Sequence, residues 1–362
     1  MLKEISTKAF ALFLLMLSFG MNAQEEVHEI APQHEGDKDL KTEIKDYINH
    51  HLQDSYDFSL YSYEENGEHH YVGFPLPVIL WDDGLKIFSS SKLNHGESVA
   101  EVDGNYYKVF HGKIYKTDAQ GTINLDEEHH ATNEKPLDFS FTKNIFVIFA
   151  VSLFMVLMFA SMAKSYKKNP LPSGMGRFLE PLVLFIRDDI AIPNIGKKHY
   201  RKYMGFLLTV FFFVWIINLL GLTPLGVNVT NNIAVTFALA LMTYLLTTFT
   251  ANKNYWKHIF WMPGVPWPMK IILAPIELLG TFIKPFSLMI RLYANITAGH
   301  IVLMSIIGLM FIFKNWLGSS LSFGLAFVLA LLELLVAALQ AYIFTMLSAL
   351  YFGMAKEEHH DH

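Results

Sequence analysis

Residues Met269–Phe313 read MKIILAPIELLGTFIKPFSLMIRLYANITAGHIVLMSIIGLMFIF, about 45 residues without a strong polar break. A helix of that length is about 65 Å long, twice the thickness of a bilayer's hydrocarbon core, so it must tilt steeply or kink. Leu317–Phe352 repeats the anomaly over about 36 residues after a short break at Lys314-Asn315-Trp316. Two overlong apolar helices in succession predict a hairpin strongly inclined to the membrane normal.

Working outward, shorter spans precede this pair. Phe141–Ala163 is long enough to cross and ends in Lys164, Lys167 and Lys168, which the positive-inside rule assigns to the cytoplasm. Phe178–Ile192 is amphipathic, interrupted by Pro181 and ended by Asp188, Asp189 and Pro193, so it is expected to lie along the cytoplasmic interface. The basic run Lys197 to Lys202 keeps that stretch inside. Met204–Leu222 then crosses outward, Thr223–Asn231 makes a polar turn, and Asn232–Thr250 returns towards Lys253 and Lys257.

The N-terminal third is a different material. The 362-residue chain is 52% hydrophobic and 17% charged, which excludes a largely disordered protein. Yet residues 24–138 hold 24 acidic and 9 basic residues, against 8 acidic and 17 basic in 139–362. Before them, Lys3 and Lys8 lead an apolar stretch Ala9–Phe19 too short to span, and Met21-Asn22-Ala23 precedes the acidic Gln24-Glu25-Glu26. This predicts a cleavable secretory signal over 1–23, which starts the mature chain outside the cytoplasm.

Residues 24–138 predict a small α+β or β-rich extracytoplasmic domain: a helix over Asp37–Leu52, then β-favouring runs Tyr71–Leu80, Leu85–Phe88, Tyr106–Phe110 and Lys113–Tyr115. Asp83-Gly84 and His111-Gly112 supply turn chemistry. Ten of the sixteen histidines fall here, among them His50-His51, His69-His70 and His129-His130. A metal site at His69, His70, His129 and His130 is weakly signalled, because adjacent histidines on a strand point to opposite faces. With no cysteine, disulfides, thiolate zinc sites and cysteine nucleophiles are excluded. The charge break near Asp138 marks a separable unit, followed by a membrane domain over 139–355 and a short charged tail, 356–362.

The chemistry concentrates in the overlong pair. Of four arginines, Arg177, Arg187 and Arg201 fall in the interfacial stretch and Arg291 sits in apolar sequence. An arginine at bilayer depth costs at least about 3 kcal/mol, so its default reading is functional. Glu277, Lys284 and Arg291 are seven apart, a spacing that drifts only about 20° per step and lines one polar stripe. Asn295 stays near that stripe, while His300, nine residues from Arg291, is expected on the other side. Glu333 and Gln340, again seven apart, give the second helix its own seam. A histidine and a glutamate buried together in a membrane read as a proton relay or ion-binding element, since both can exchange protons near neutrality. Metal ligation wants a third ligand, and none is near in sequence.

The stretch Ser287–His300, SLMIRLYANITAGH, resembles the signature of subunit a of F-type ATP synthases, a membrane arginine followed at fixed distances by asparagine, alanine-glycine and a titratable residue. Leu335–Phe344, LVAALQAYIF, resembles the family's second signature around its glutamine, and Asn231–Thr236, NNIAVT, the start of its fourth helix. The likeness covers about 140–362. It implies that Arg291 is the essential arginine facing the rotating c-ring. Asn295 and Gln340 would line the aqueous path, with Asn232 also on it, and Glu277 and Lys284 would lie toward the cytoplasmic half-channel. His300 and Glu333 match the family's titratable pair, but with histidine and glutamate exchanged relative to the proteobacterial arrangement. The implied partners are the c-ring, the subunit b peripheral stalk, the catalytic sector and membrane lipid in a bacterial inner membrane. Neither a cofactor nor nucleic acid is implied. The acidic, histidine-rich domain departs most from the family.

The expectation is therefore an all-α polytopic membrane protein with two long, steeply tilted C-terminal helices, acting as the stator proton channel of ATP synthase and not itself an enzyme. No phosphate-binding glycine loop is present. A secondary ion transporter would predict internal repeats, which the two halves lack. A membrane-anchored metal sensor has no need of Arg291, Glu333 and Gln340 in overlong helices.

Overall fold

The computed structural model describes residues 54–65, 68–96, 98–126, 130–168, 174–223, 227, 229–262, 264–312 and 316–356. The expected signal segment 1–23, the expected helix Asp37–Leu52 with His50-His51, the residue His129 and the tail beyond Lys356 lie outside the described residues.

The N-terminal unit is built of short antiparallel strands. β1 (Asp57–Glu65) pairs with β2 (Glu68–Pro75); β4 (Leu85–Ser89) pairs with β3 (Pro77–Trp81), which also pairs with β8 (Leu137–Asp138); β5 (Ala100–Val102), β6 (Asn105–Phe110) and β7 (Lys113–Thr117) form a third sheet. The run Tyr71–Leu80, expected as one strand, is two. Pro75 and Pro77 have no N–H to donate to a ladder, and Leu76 between them pairs instead with Ser90 through its amide and its carbonyl. His111-Gly112 forms a two-residue hairpin turn with both residues at positive φ, and so does Asp103-Gly104, which the sequence reading passed over. A small core of Val78, Leu80, Leu93, Tyr107 and Ile114 lies among the sheets.

Within that core Asp82 is buried and accepts hydrogen bonds from Tyr107 Oη at 2.8 Å and Lys116 Nζ at 3.1 Å. Burial alone raises a carboxyl's pKa, but these two donors and the lysine's charge outweigh it and hold Asp82 below the usual range. A depressed carboxyl contributes stability above its unfolded pKa of about 3.9 and loses it as pH falls through the folded value. Asp82→Asn is expected to cost roughly 1.5–3 kcal/mol near neutrality and to flatten the acid loss. Hydrogen exchange of the β6 amides in the intact protein, followed down to about pH 3, measures both.

The break in composition at Asp138 is not a break in contacts. Residues 137–141 run beside β3, with Phe139 N–H bonded to Ile79 O at 2.9 Å and Phe141 N–H to Pro77 O at 3.0 Å. They lead directly into α1 (Lys143–Lys168), whose first turn is capped from the other side of the domain: Asn144 N–H donates to Asp54 Oδ1 at 3.1 Å and Lys143 N–H to Ser55 O at 2.8 Å. Phe58 and Leu76 pack into the same core as Val147, Ile148 and Val151 of α1.

The rest is helical: α2 (Met175–Phe185), a wide π turn (Ile186–Ala191), α3 (Ile192–Ile195), α4 (Tyr200–Gly221), α5 (Ile233–Thr250), α6 (Lys253–Phe260), α7 (Trp267–Ile312) and α8 (Trp316–Lys356). Five of these, α1, α4, α5, α7 and α8, are long and apolar enough to cross a membrane. The chain is a polytopic helical membrane protein, and among the described residues its strands lie in the N-terminal part. Hydroxyls inside the spans return to their own helix, as Thr243 does to Leu239 O at 3.1 Å and Thr345 to Ala341 O at 2.8 Å, which satisfies them where water is absent.

One expectation is corrected here. Pro181 does not interrupt the stretch around Phe178, and Asp188, Asp189 and Pro193 do not end it; helix runs through all four. Ile186, Ile190 and Ala191 are fully buried, while Asp188 faces outward and is bound by Arg187 at 2.8 Å, so the acids decorate the outer face without stopping the helix. Pro193 is the second residue of α3, directly after the π turn. Gly196, at φ 87°, makes the actual stop. The short α6 was not anticipated at all.

α3 is held against α8 at a backbone crossing. A Cβ built on Gly353 lies 1.9 Å from the carbonyl oxygen of Asn194. That neighbour is backbone and cannot swing away, so Gly353→Ala is expected to cost at least about 1–3 kcal/mol and to lower the amount of assembled protein in membranes, which immunoblotting of membrane fractions checks. Gly280→Ala, with nothing within 4 Å of its Cβ, is the matched control.

Candidate functional site

α7 and α8 pack together in opposite senses, so polar groups pair at two levels. Asn295 Nδ2 donates to Gln340 Oε1 at 3.0 Å, and His300 Nδ1 lies 3.5 Å from Glu333 Oε1. His300, Glu333 and Gln340 are buried at 4, 7 and 2% exposure. The asparagine and the histidine thus both meet α8, one helical level apart. Glu333 comes close to α7 at Gly299, where a Cβ would sit 3.1 Å from its Oε1. Neither carboxylate oxygen of Glu333 has a hydrogen-bond partner among the described residues. Its attraction to His300 is therefore chiefly electrostatic, with lone pairs left for a proton.

Polar contacts continue sideways from this pair. Thr297 Oγ1 has its one proton between two acceptors, Asn231 Oδ1 and Tyr293 O, and Thr230 Oγ1 donates to the buried Asn218 Oδ1 at 3.0 Å. Asn218, Thr230, Asn231 and Thr297 were not singled out from sequence; an asparagine near the end of an apolar span was the available signal for the first. Asn232 serves locally, its side chain capping α5 by accepting from Ala234 N–H at 3.0 Å.

Arg291, one turn before Asn295, is half-buried and makes no ion pair among the described residues; it is within electrostatic reach of Tyr351 on α8. Lys284 is half-buried over the Tyr351 ring, 5.9 Å from its centre, and within electrostatic reach of Glu277. It lines a narrow crevice of about 10 Å³, room for about one water, with Thr243, Thr247 and Tyr255 beside the apolar Leu288 and Met354. A cation and a titratable pair are thus distributed along α7 and α8, with the crevice at Lys284 closed by α5 and α6.

A family model described as ATP synthase A chain matches residues 145–353, the part that carries every one of these groups. The chain belongs to the ATP synthase A chain family. It is similar to ATP synthase subunit a 2 of Chlorobaculum tepidum, 44% identical over 234 residues, covering 62% of this chain and 66% of that protein. Against ATP synthase subunit a of Chloroherpeton thalassium it is 44% identical over 231 residues, 62% of this chain and 69% of that one. Subunit a of Myxococcus xanthus is 43% identical over 234 residues, 62% of this chain and 76% of that one. The family match leaves out the strands, which a second model, a domain of unknown function (DUF8433), matches over residues 47–139.

In that unit His69 and His70 occupy consecutive positions of β2, opposite Glu64 and Tyr63. His130 Nδ1 lies 3.6 Å from Asp126 Oδ2, and its N–H donates to Asp126 Oδ1 at 2.7 Å. Among the described residues no three histidines or carboxylates converge as a metal site would need.

Proposed function

We propose that this chain is the stator subunit of an F-type ATP synthase membrane sector, carrying protons through two half-channels to and from the carboxylates of a rotating c-ring. The observation that carries the reading is the buried His300–Glu333 pair on the same two helices as Arg291. The named relatives support it. In this reading the polar groups from Asn218 to Thr297 lead from one membrane face to the pair, and the crevice at Lys284 leads to the other. α7, about 69 Å long at 1.5 Å per residue, is steeply tilted to follow the ring.

The arginine sets the order of events. A ring carboxylate drawn to within about 4 Å of Arg291 gains about 4 kcal/mol at an effective dielectric near 20, enough to favour its charged form and release its proton to one half-channel. A carboxylate on the other side of Arg291 regains a proton through the His300–Glu333 region. The same fixed charge repels a proton that would run straight between the half-channels. ATP synthesis itself takes place in the attached catalytic sector, with a subunit b stalk holding this chain still.

In the same reading residues 24–138 form an extracytoplasmic domain behind a signal at 1–23, and 139–355 form the channel. Reconstituted vesicles holding the intact complex test the function: ATP-driven proton uptake without added sodium, with a ring of small apolar hairpins copurifying. Uptake that requires sodium, or purification without a ring, overturns it.

A further inference from the structure

The sheet β4-β3-β8 has one face in the domain core, through Val78, Leu80 and Phe88, and another that none of the described residues covers. On that second face the register sets Ile79 beside Ile87, and Trp81 between Leu85 and Leu137, with Phe139 following on the strand beside Ile79. Trp81, Leu85, Ile87, Leu137 and Phe139 are each between 51 and 60% exposed. Charged neighbours in sequence are engaged elsewhere: Asp82 with Lys116, Lys86 with Asp103, and Asp138 with Tyr56. A domain rich in acid thus presents an apolar face, with Asp83 only at its hairpin turn, larger than singly scattered surface apolar residues account for.

What covers it is indicated by what it adjoins. Leu137, Phe139 and Phe141 alternate onto one side of the strand leading into α1, and the Phe141 ring stands 5.8 Å from that of Phe149. From Phe149, 45% exposed, the apolar strip runs on to Leu153 and Leu157, at 61 and 60%, along the outward side of a helix suited to crossing the membrane. Lys164 marks the far end of that span. About 20 residues at 1.5 Å each cross a hydrocarbon core of about 30 Å, and counting back from Lys164 reaches Asn144. The exposed sheet face therefore begins where α1 enters the bilayer, and it carries Trp81, a residue type enriched at that depth.

We infer that this sheet face is a lipid-docking surface, lying on the leaflet that α1 enters at Lys143 and holding the N-terminal domain flat against it. The inference rests on α1 spanning the bilayer and not on proton conduction. Asp54 and Ser55 cap α1 while Phe58 packs on it, so the domain is braced at the point where it meets lipid.

Because the chain has no cysteine, Ile87→Cys gives it a single site for a nitroxide label at an already exposed position, and Glu101→Cys on β5 gives a reference, each in a complex whose other subunits have had any reactive cysteine replaced. Both are introduced in the full complex, reconstituted in phosphatidylethanolamine–phosphatidylglycerol vesicles. At residue 87 collisions with dissolved oxygen are expected to exceed those with a water-soluble nickel chelate several-fold, and at 101 the order is expected to reverse. Nickel reaching 87 as readily as 101 overturns the inference, showing a face left in water. Exclusion of both reagents from 87 overturns it too, showing a protein partner instead. Proton uptake by the same labelled vesicles is read in parallel, so either failure stands apart from a failure of the channel reading.

Discussion

Arg291→Ala is expected to leave a complex that assembles and inserts normally but shows no ATP-driven acidification of membrane vesicles. The expectation follows from how lightly Arg291 is tied into its own chain: it makes no ion pair among the described residues, and the packing of α7 comes instead from Leu288, Met289 and Leu292, which are buried beside it. Removing the side chain deletes a charge that costs at least about 3 kcal/mol to place at bilayer depth, so insertion does not suffer. In the proposed mechanism, what disappears is the attraction of about 4 kcal/mol offered to a ring carboxylate, and with it the barrier between the half-channels. Vesicles are also expected to leak protons. Arg291→Lys keeps the charge but not the planar fork, and is expected to restore the barrier without restoring the rate. Normal pumping by an assembled Arg291→Ala complex would sink the reading.

The second large effect concerns His300 and Glu333. At 3.5 Å they lie far inside the distance beyond which substitutions add independently. His300→Glu places two carboxylates where both cannot ionise together, and Glu333→His places two imidazoles with no acid between them. Each single variant is expected to lose more than tenfold in pumping rate, about 1.4 kcal/mol or more. The exchanged double variant restores one acid and one base and is expected to recover part of the loss, a coupling of roughly 0.5–3 kcal/mol. Rates against pH for all four proteins form one cycle. Strict additivity in the logarithm of rate means that each residue acts by its own position, and the pair is not a unit.

Much of this site was legible because membranes make polar residues conspicuous. Arg291, Glu333 and Gln340 stand out in apolar sequence, where each costs free energy that must be returned by function or pairing. Asn218, Thr230, Asn231 and Thr297 did not stand out, since a threonine hydroxyl can always return to its own helix and so says nothing about a neighbour. Asn232 came to the path through the resemblance of its segment to the start of the family's fourth helix; its side chain caps α5, and its neighbour Asn231 accepts from Thr297. His300 was expected opposite Arg291 from helical angle alone. That angle says where a residue points on its own helix, and not which neighbour stands there.

Hydrophobic length and charge spacing, properties of single segments, determined from the sequence alone that five apolar helices are present, that two are overlong, and where Arg291 and its polar stripe fall. Tertiary structure alone decided what depends on two segments at once. It brought His300 to Glu333 beside Gly299, carried helix past Asp188 because Ile186 and Ile190 are buried on the other face, and tied Asp54 to the first turn of α1 across the composition break. The physical reason is that insertion into lipid is local, summed residue by residue along each helix, whereas packing and polar satisfaction are settled between chains of contact far apart in sequence.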